Sequence, residues 1–258
     1  MPYHWLMSAR SPRLQRSVVT PSQCGLFQSS TETLGDDDVC VWLAEPRAWS
    51  APDDRRYLLP FLSDEERDRA RRFHFDEDRL AFLVAHGLVR MALSRYAAVA
   101  PVEWTFSADS YGKPSVATPP STLSFSLSHT RTLVACAVVR GRPIGVDVED
   151  ASRPAPLEIA ERYFVPGERH DIFATDPDQR TRRFFEYWTL KEAYVKACGL
   201  GLSLPLDRFE FRRDAEGSWR IAFAPPPLDD PAAWWFHAWS TPTHQAAIAL
   251  RTGRRSET

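Results

Sequence analysis

Several features that would give a chain away at once are missing from these 258 residues. No run of about 18 or more apolar residues is present, which excludes a membrane-spanning helix. Basic residues are in no excess: 32 Lys and Arg stand against 34 Asp and Glu, for a formal charge of −2. So balanced a chain is not a generic polyanion binder, and nucleic acid is not an expected partner. Cysteine is scarce, with Cys24, Cys40, Cys136 and Cys198 forming no CxxC pair and no His at finger spacing. Neither a zinc site nor a disulfide framework is indicated, and reduced, mostly half-buried thiols in a cytoplasmic protein are expected. There is no GxSxG elbow, no Walker A loop and no Rossmann glycine fingerprint. Those absences weigh against serine hydrolysis, ordinary nucleotide hydrolysis and hydride transfer. Glycine is sparse, at 11 against 21 prolines, so the loops should be stiff and punctuated. Nine tryptophans among 12% aromatics exclude low-complexity disorder for most of the chain.

Acidic residues are also missing from the front of the chain. Met1 to Thr31 contains none, while Arg10, Arg13 and Arg16 lie among Ser, Pro and Gln. Without an apolar h-region this is no secretory signal, although the composition is similar to that of an organelle transit peptide. The simpler expectation is that residues 1–35 form a disordered, disposable extension. Ordered structure is then expected from Val39, where VCVWLAEP reads as a strand.

Beyond that strand the chain is strongly patterned. Ser63-Asp64-Glu65-Glu66 is a capping box that opens a helical stretch. Leu80, Leu83, Val84, Leu88 and Met91 recur in it at helical spacing and should face a core. From Trp104 the pattern changes to short strands: WTFSADSYGKPSV, LSFSLSHT, TLVACAVV and PIGVDVED. Helices then return in LEIAERYF and RTRRFFEYWTLKEAYVKACG, the second ended by Gly199. RFEFRR, WRIAFA, WWFHAWS and HQAAIALR complete the chain as strands. Helix-then-sheet thus occurs twice, predicting an α+β fold of two halves, 36–141 and 142–258, joined near Arg140 to Pro143.

The sharpest chemical feature is Gly145-Val146-Asp147-Val148-Glu149-Asp150. Alternate strand residues share a face, so Asp147 and Glu149 project together while Val146 and Val148 enter a core. Two carboxylates on one face repel unless a positive group lies between them, and Mg²⁺ takes one or two carboxylates with water and phosphate oxygens. Alone, such a pair is more often an ordinary solvent-facing strand end. In WTLKEAYVKACG, Trp188, Glu192 and Lys196 fall at i, i+4 and i+8 on one helical stripe, with Lys191 one residue to the side. By itself Glu192–Lys196 is a routine helical ion pair. Beside Asp147 and Glu149, however, a third carboxylate and a lysine would make a site for a metal and a phosphate. Ser128-His129-Thr130, at the end of a strand, is the remaining polar cluster.

Taken in order, YGKP, FSLSHT, GVDVED and WTLKEAYVKACGLGLSLPLDRF resemble the motifs of the Sfp-type 4'-phosphopantetheinyl transferases. RRFHFDEDRLAFLVAHGLVR is similar to that family's first helical block. The resemblance runs from about Val39 to the C-terminal strands. It implies two similar α+β halves related by a pseudo-twofold axis, with the active site in the cleft between them. The implied reaction moves the phosphopantetheine arm of coenzyme A to a serine of an apo acyl or peptidyl carrier protein and releases 3',5'-ADP. By the same resemblance Asp147, Glu149 and Glu192 hold Mg²⁺, Glu192 is the base, and Lys196 meets the pyrophosphate and the leaving group. Lys113, Ser128, His129, Lys191 and Arg69 are implied in coenzyme A binding, with Arg72 and Arg79 as companions and Trp188 positioning the helix by packing. Glu66 stands where relatives carry a basic residue, which is at odds with an all-basic phosphate clamp. Glu168 matches a recurrent acid of unassigned role. Both halves being in one chain, the resemblance implies a monomeric, cytoplasmic enzyme.

Overall fold

The computed structural model describes residues 11–21 and 31–253. In chain order its strands are β1 (Arg13–Val18), β2 (Asp38–Ala44), β3 (Thr105–Ala108), β4 (Pro114–Thr118), β5 (Leu123–His129), β6 (Val134–Arg140), β7 (Ile144–Asp150), β8 (Phe209–Arg213), β9 (Trp219–Phe223), β10 (Trp234–Ser240) and β11 (His244–Arg251). The helices are α1 (Pro52–Leu58), α2 (Asp64–Arg71), α3 (Asp76–Tyr96), α4 (Leu157–Tyr163), α5 (Pro166–Ala174) and α6 (Pro177–Cys198). The fold is α+β, as the order of patterns predicts. None of the described helices is long and apolar enough to cross a membrane.

Two sheets pack face to face. The first has the order β1-β2-β6-β5, and the second β10-β11-β7. Period-two alternation gives the inner strands β2, β6, β7 and β11 two buried faces, and the faces sort into separate cores. Val39, Val41 and Leu43 of β2 meet Val146 and Val148 of β7 and Ile248 of β11 between the sheets. Cys40 and Trp42, on the opposite face of β2, join Leu80, Leu83, Val84, Leu88 and Met91 of α3. Ala247 and Ala249 of β11 join Phe184, Leu190 and Ala193 of α6. The result is helix, sheet, sheet, helix. Cys40 and Cys136 are buried and Cys198 half-buried, all three with free thiols; Cys24 lies outside the described residues.

Three expectations are corrected. Arg13–Val18 is not part of a disordered extension: it pairs in parallel with Asp38–Leu43 of β2. Arg13 bonds Asp38, and Leu14 packs against the core between the sheets. Charged strand edges look like solvated loop in a sequence, because the apolar partner lies far along the chain. Residues 1–10 and 22–30 of that extension lie outside the described residues. The helical stretch after Ser63 is two helices, broken at 72–75. The side chain of Arg79 closes the break by donating to the carbonyls of Ala70 (3.2 Å) and Phe73 (3.0 Å). Arg79 is therefore a bracket of the α2–α3 turn. The third correction is Lys191, which is fully buried against Glu168 and not open to a ligand.

Candidate active site

α6 can lie on β7 because position 145 has no side chain. A Cβ on Gly145 would overlap the Ala193 carbonyl and come within 2.6 Å of the Ala197 nitrogen. This close approach sets Glu192 and Lys196 over the face of β7 that carries Asp147 and Glu149. Gly199 then stops α6 in the left-handed conformation, at φ 70°.

β5 lies against the other edge of β7. Ser126 Oγ accepts from the Val146 N–H (3.0 Å) and Ser128 Oγ from the Val148 N–H (3.3 Å), so two hydroxyls stand in for ladder carbonyls. The Ser128 hydroxyl donates in turn to Asp147 Oδ1 at 2.9 Å. Lys196 Nζ reaches both groups, at 2.9 Å from Ser128 Oγ and 2.7 Å from Asp147 Oδ1. Asp147 is 4% exposed, and its second oxygen, Oδ2, is buried without a hydrogen-bond partner. A buried carboxylate oxygen left unpaired is costly, and it marks a place where a cation would be held.

Glu192 faces this pair. Burial, then the charge of Asp147, push its carboxyl up to about 7, against the pull of Lys196. Glu149 is also raised, by burial first and Asp147 second. Its Oε2 pairs with Arg153 at 2.6 Å, and the indole N–H of Trp188 bonds the same carboxyl. Trp188 also stacks on Phe184, ring centroids 6.1 Å apart. Among the described residues no group of three His, Cys, Asp or Glu is gathered as a preformed metal cage. The expected trio is thus close enough for its charges to interact but is not drawn together.

A cavity of about 280 Å³ opens beside Glu192 and Lys196, bounded by Tyr111–Pro114, Phe125–Leu127 and Gly199. Lys113 lines it, but its ammonium points to the carbonyls of Ile144 and Ala197, 3.3 Å from each. Burial lowers its pKa. His129, the last residue of β5, is exposed, its pKa lowered by partial burial and then by the charges of Lys196 and His86. Arg69 is exposed on α2, its guanidinium 5.2 Å over the Phe82 ring. Arg72 is exposed beside it.

Lys191 is not in this cleft. It is 0% exposed, paired with Glu168 at 2.9 Å and donating to the carbonyls of Leu206 (2.7 Å) and Phe209 (2.8 Å). One helical residue turns a side chain by about 100°, enough to send Lys191 into the second core while Glu192 faces the site. Glu168 thereby acquires a part: it accepts from Lys191 and from the Phe211 N–H. Sequence reasoning missed Ser126, whose only signal was its alternation with Ser128.

Residues 47–140 match the model described as 4'-phosphopantetheinyl transferase, N-terminal, and residues 143–250 match the 4'-phosphopantetheinyl transferase superfamily. The 4'-phosphopantetheinyl transferase Sfp of Bacillus subtilis (strain 168) is 38% identical over 171 residues, 66% of this chain and 75% of its own. The 4'-phosphopantetheinyl transferase HetI of a Nostoc species is 37% identical over 177 residues, 66% of this chain and 73% of its own. Among solved structures, a holo-(acyl-carrier-protein) synthase from Bacillus anthracis aligns with 42% of this chain and 94% of its own, at 20% identity and a TM-score of 0.36. The chain belongs to the 4'-phosphopantetheinyl transferase superfamily. It is a 4'-phosphopantetheinyl transferase.

Proposed function

We propose that the cleft takes coenzyme A as donor and passes its phosphopantetheine arm to a serine hydroxyl of an apo acyl or peptidyl carrier protein, releasing 3',5'-ADP. The observation that carries this reading is the Asp147–Lys196–Ser128 cluster beside Glu192, whose carboxyl is raised to about 7. A base of that pKa can accept the serine proton near neutral pH. Lys196, on the same helix face, meets charge growing on the leaving phosphate. His129 and Arg69 would serve as further cations for the nucleotide, with Lys113 on the cavity wall and Ser128 beside Lys196.

The donor set also suits a hard cation. Asp147 has a free buried oxygen and Glu192 ionises reluctantly without a nearby positive charge. These two would hold Mg²⁺, with Glu149 as third ligand once Arg153 is displaced, since Mg²⁺ needs only one or two carboxylates. Bound there, the ion would neutralise charge on the pyrophosphate. The division of labour supports halves meeting at Gly141-Arg142, the first giving Lys113, Ser128 and His129 and the second the three acids and Lys196. Both walls come from one chain, which supports a monomer, and free thiols at Cys40 and Cys136 are in keeping with the cytoplasm.

The test is a mass-shift assay with coenzyme A, Mg²⁺ and a panel of apo carriers. The carrier should gain one phosphopantetheine, and Asp147→Ala should abolish the gain. Glu192→Gln should slow it about 10²–10⁴-fold. A folded protein that modifies no carrier of the panel would sink the reading.

A further inference from the structure

His244 stands at the seam between the halves, and the reaction as described makes no use of it. β5 and β7 belong to different sheets, and beside the site they are joined through the Ser126 and Ser128 hydroxyls, at 3.0 and 3.3 Å. The end of β5 needs firmer support than that, because Ser128 there bonds both Asp147 and Lys196. His244 supplies a further tie. It opens β11 opposite Asp150, the last residue of β7, and is 6% exposed. Across the seam its Nε2 lies 3.1 Å from Thr130 Oγ1 and 2.9 Å from Thr132 Oγ1, in the turn that follows Ser128-His129.

The bonds within that turn set the direction of this contact. Thr130 Oγ1 accepts from the N–H groups of Thr132 (3.2 Å) and Leu133 (3.0 Å), which uses both lone pairs and leaves its own proton to give. Among the acceptors in reach, Nε2 at 3.1 Å is nearer than Thr132 Oγ1 at 3.3 Å or the Leu133 carbonyl at 3.4 Å. Nε2 therefore accepts, and the ring proton lies on Nδ1, 2.9 Å from Thr243 Oγ1. Burial favours the neutral ring that such an acceptor must be, over the pull of Asp150 and Glu45. Arg131, between the two threonines, bonds Asp78 at the start of α3 at 2.8 Å. Arg182 of α6 donates to the Thr241 carbonyl at 3.1 Å, and Thr241 Oγ1 accepts from the His244 N–H at 2.9 Å. Hence α3 and β11 hold the β5–β6 turn from two sides, and α6 braces the start of β11.

We infer that His244 is a positioning residue for the donor site: by holding Thr130 and Thr132 it fixes the Ser128-His129 end of β5 against the second half. The inference rests on coenzyme A being the donor. His244 acts only through the turn, so its loss should loosen the grip on the donor more than it slows the transfer.

Two variants separate this from a purely structural role. His244→Phe keeps a ring and removes both nitrogens, whereas His244→Gln returns an acceptor oxygen to the threonines. In calorimetric titration His244→Phe should bind coenzyme A about tenfold more weakly, and in steady-state kinetics its KM for coenzyme A should rise by a similar factor. kcat and the carrier KM should be nearly unchanged, and His244→Gln should recover most of the affinity. Equal binding by wild type and a folded His244→Phe, or a loss that His244→Gln leaves uncorrected, would overturn the role of His244 alone. Absence of binding by the wild type would overturn the donor reading and this inference with it. If His244→Phe does not fold, Thr132→Val at its exposed position carries the test: coenzyme A binding should weaken about threefold, and unaltered binding would overturn the role.

Discussion

Lys191 and Glu192 are neighbours with opposite fates, and each makes a prediction. Lys191 and Glu168 are buried together, each pushed toward its neutral form by burial and held charged by the other. Removing one partner leaves an unpaired buried charge, so Lys191→Met should cost about 3–5 kcal/mol in chemical denaturation. Adding Glu168→Gln should recover much of that loss, because the amide still accepts from the Phe211 N–H and no charge is left over. Glu192 behaves differently because it faces a cleft crowded with acids. In the metal-free protein its carboxyl titrates near 7, whereas the unfolded chain would ionise near 4.5. The native state therefore holds this proton more tightly, and stability is fullest below about 4.5, falling as pH rises to about 7. Glu192→Gln should match wild type at pH 4 and exceed it by about 1–3 kcal/mol at pH 8 in urea unfolding. Millimolar Mg²⁺ should narrow that gap by stabilising wild type alone.

At the scale of elements, the contact of α6 with β7 decides whether a site exists. Gly145→Ala would drive a methyl group into the Ala193 carbonyl, and the backbone of α6 cannot rotate away as a side chain could. It should cost about 1–3 kcal/mol or more by thermal unfolding and move Lys196 off Asp147, so activity should fall further than stability. The seam between β5 and β7 is softer. Ser126 and Ser128 replace a ladder with two side-chain bonds, and Ser126→Ala should cost about 1 kcal/mol while leaving the acids in place. Elements with strong periodicity were legible beforehand: α6, α3 and the strand of Asp147 lie where the patterns put them. The α2–α3 break was not, because Arg79 closes it with bonds to carbonyls that have no sequence signature.

At the scale of the molecule, β1 joins what the two halves share. Its backbone pairs with β2, while Arg16 lies 5.5 Å over the ring of Trp239 on β10, in the other sheet, and Leu14, like Trp235 and Trp239, packs on the core between the sheets. A variant starting at Pro21 should lose several degrees of thermal stability and redden its tryptophan emission, since β2 and β10 would both be opened to water. An unchanged melting curve would show β1 to be a passive edge. The sequence by itself determined the fold class, the paired acids of β7, the Glu192–Lys196 stripe and the family, because each depends on spacing within a short segment of regular period. Tertiary structure alone decided that Lys191 is buried against Glu168, that Glu66 pairs with Arg90 and His86, and that Arg13–Val18 belongs to the sheet. Those outcomes depend on partners well over a dozen residues away, and a local pattern cannot specify which buried charge will find which counter-charge.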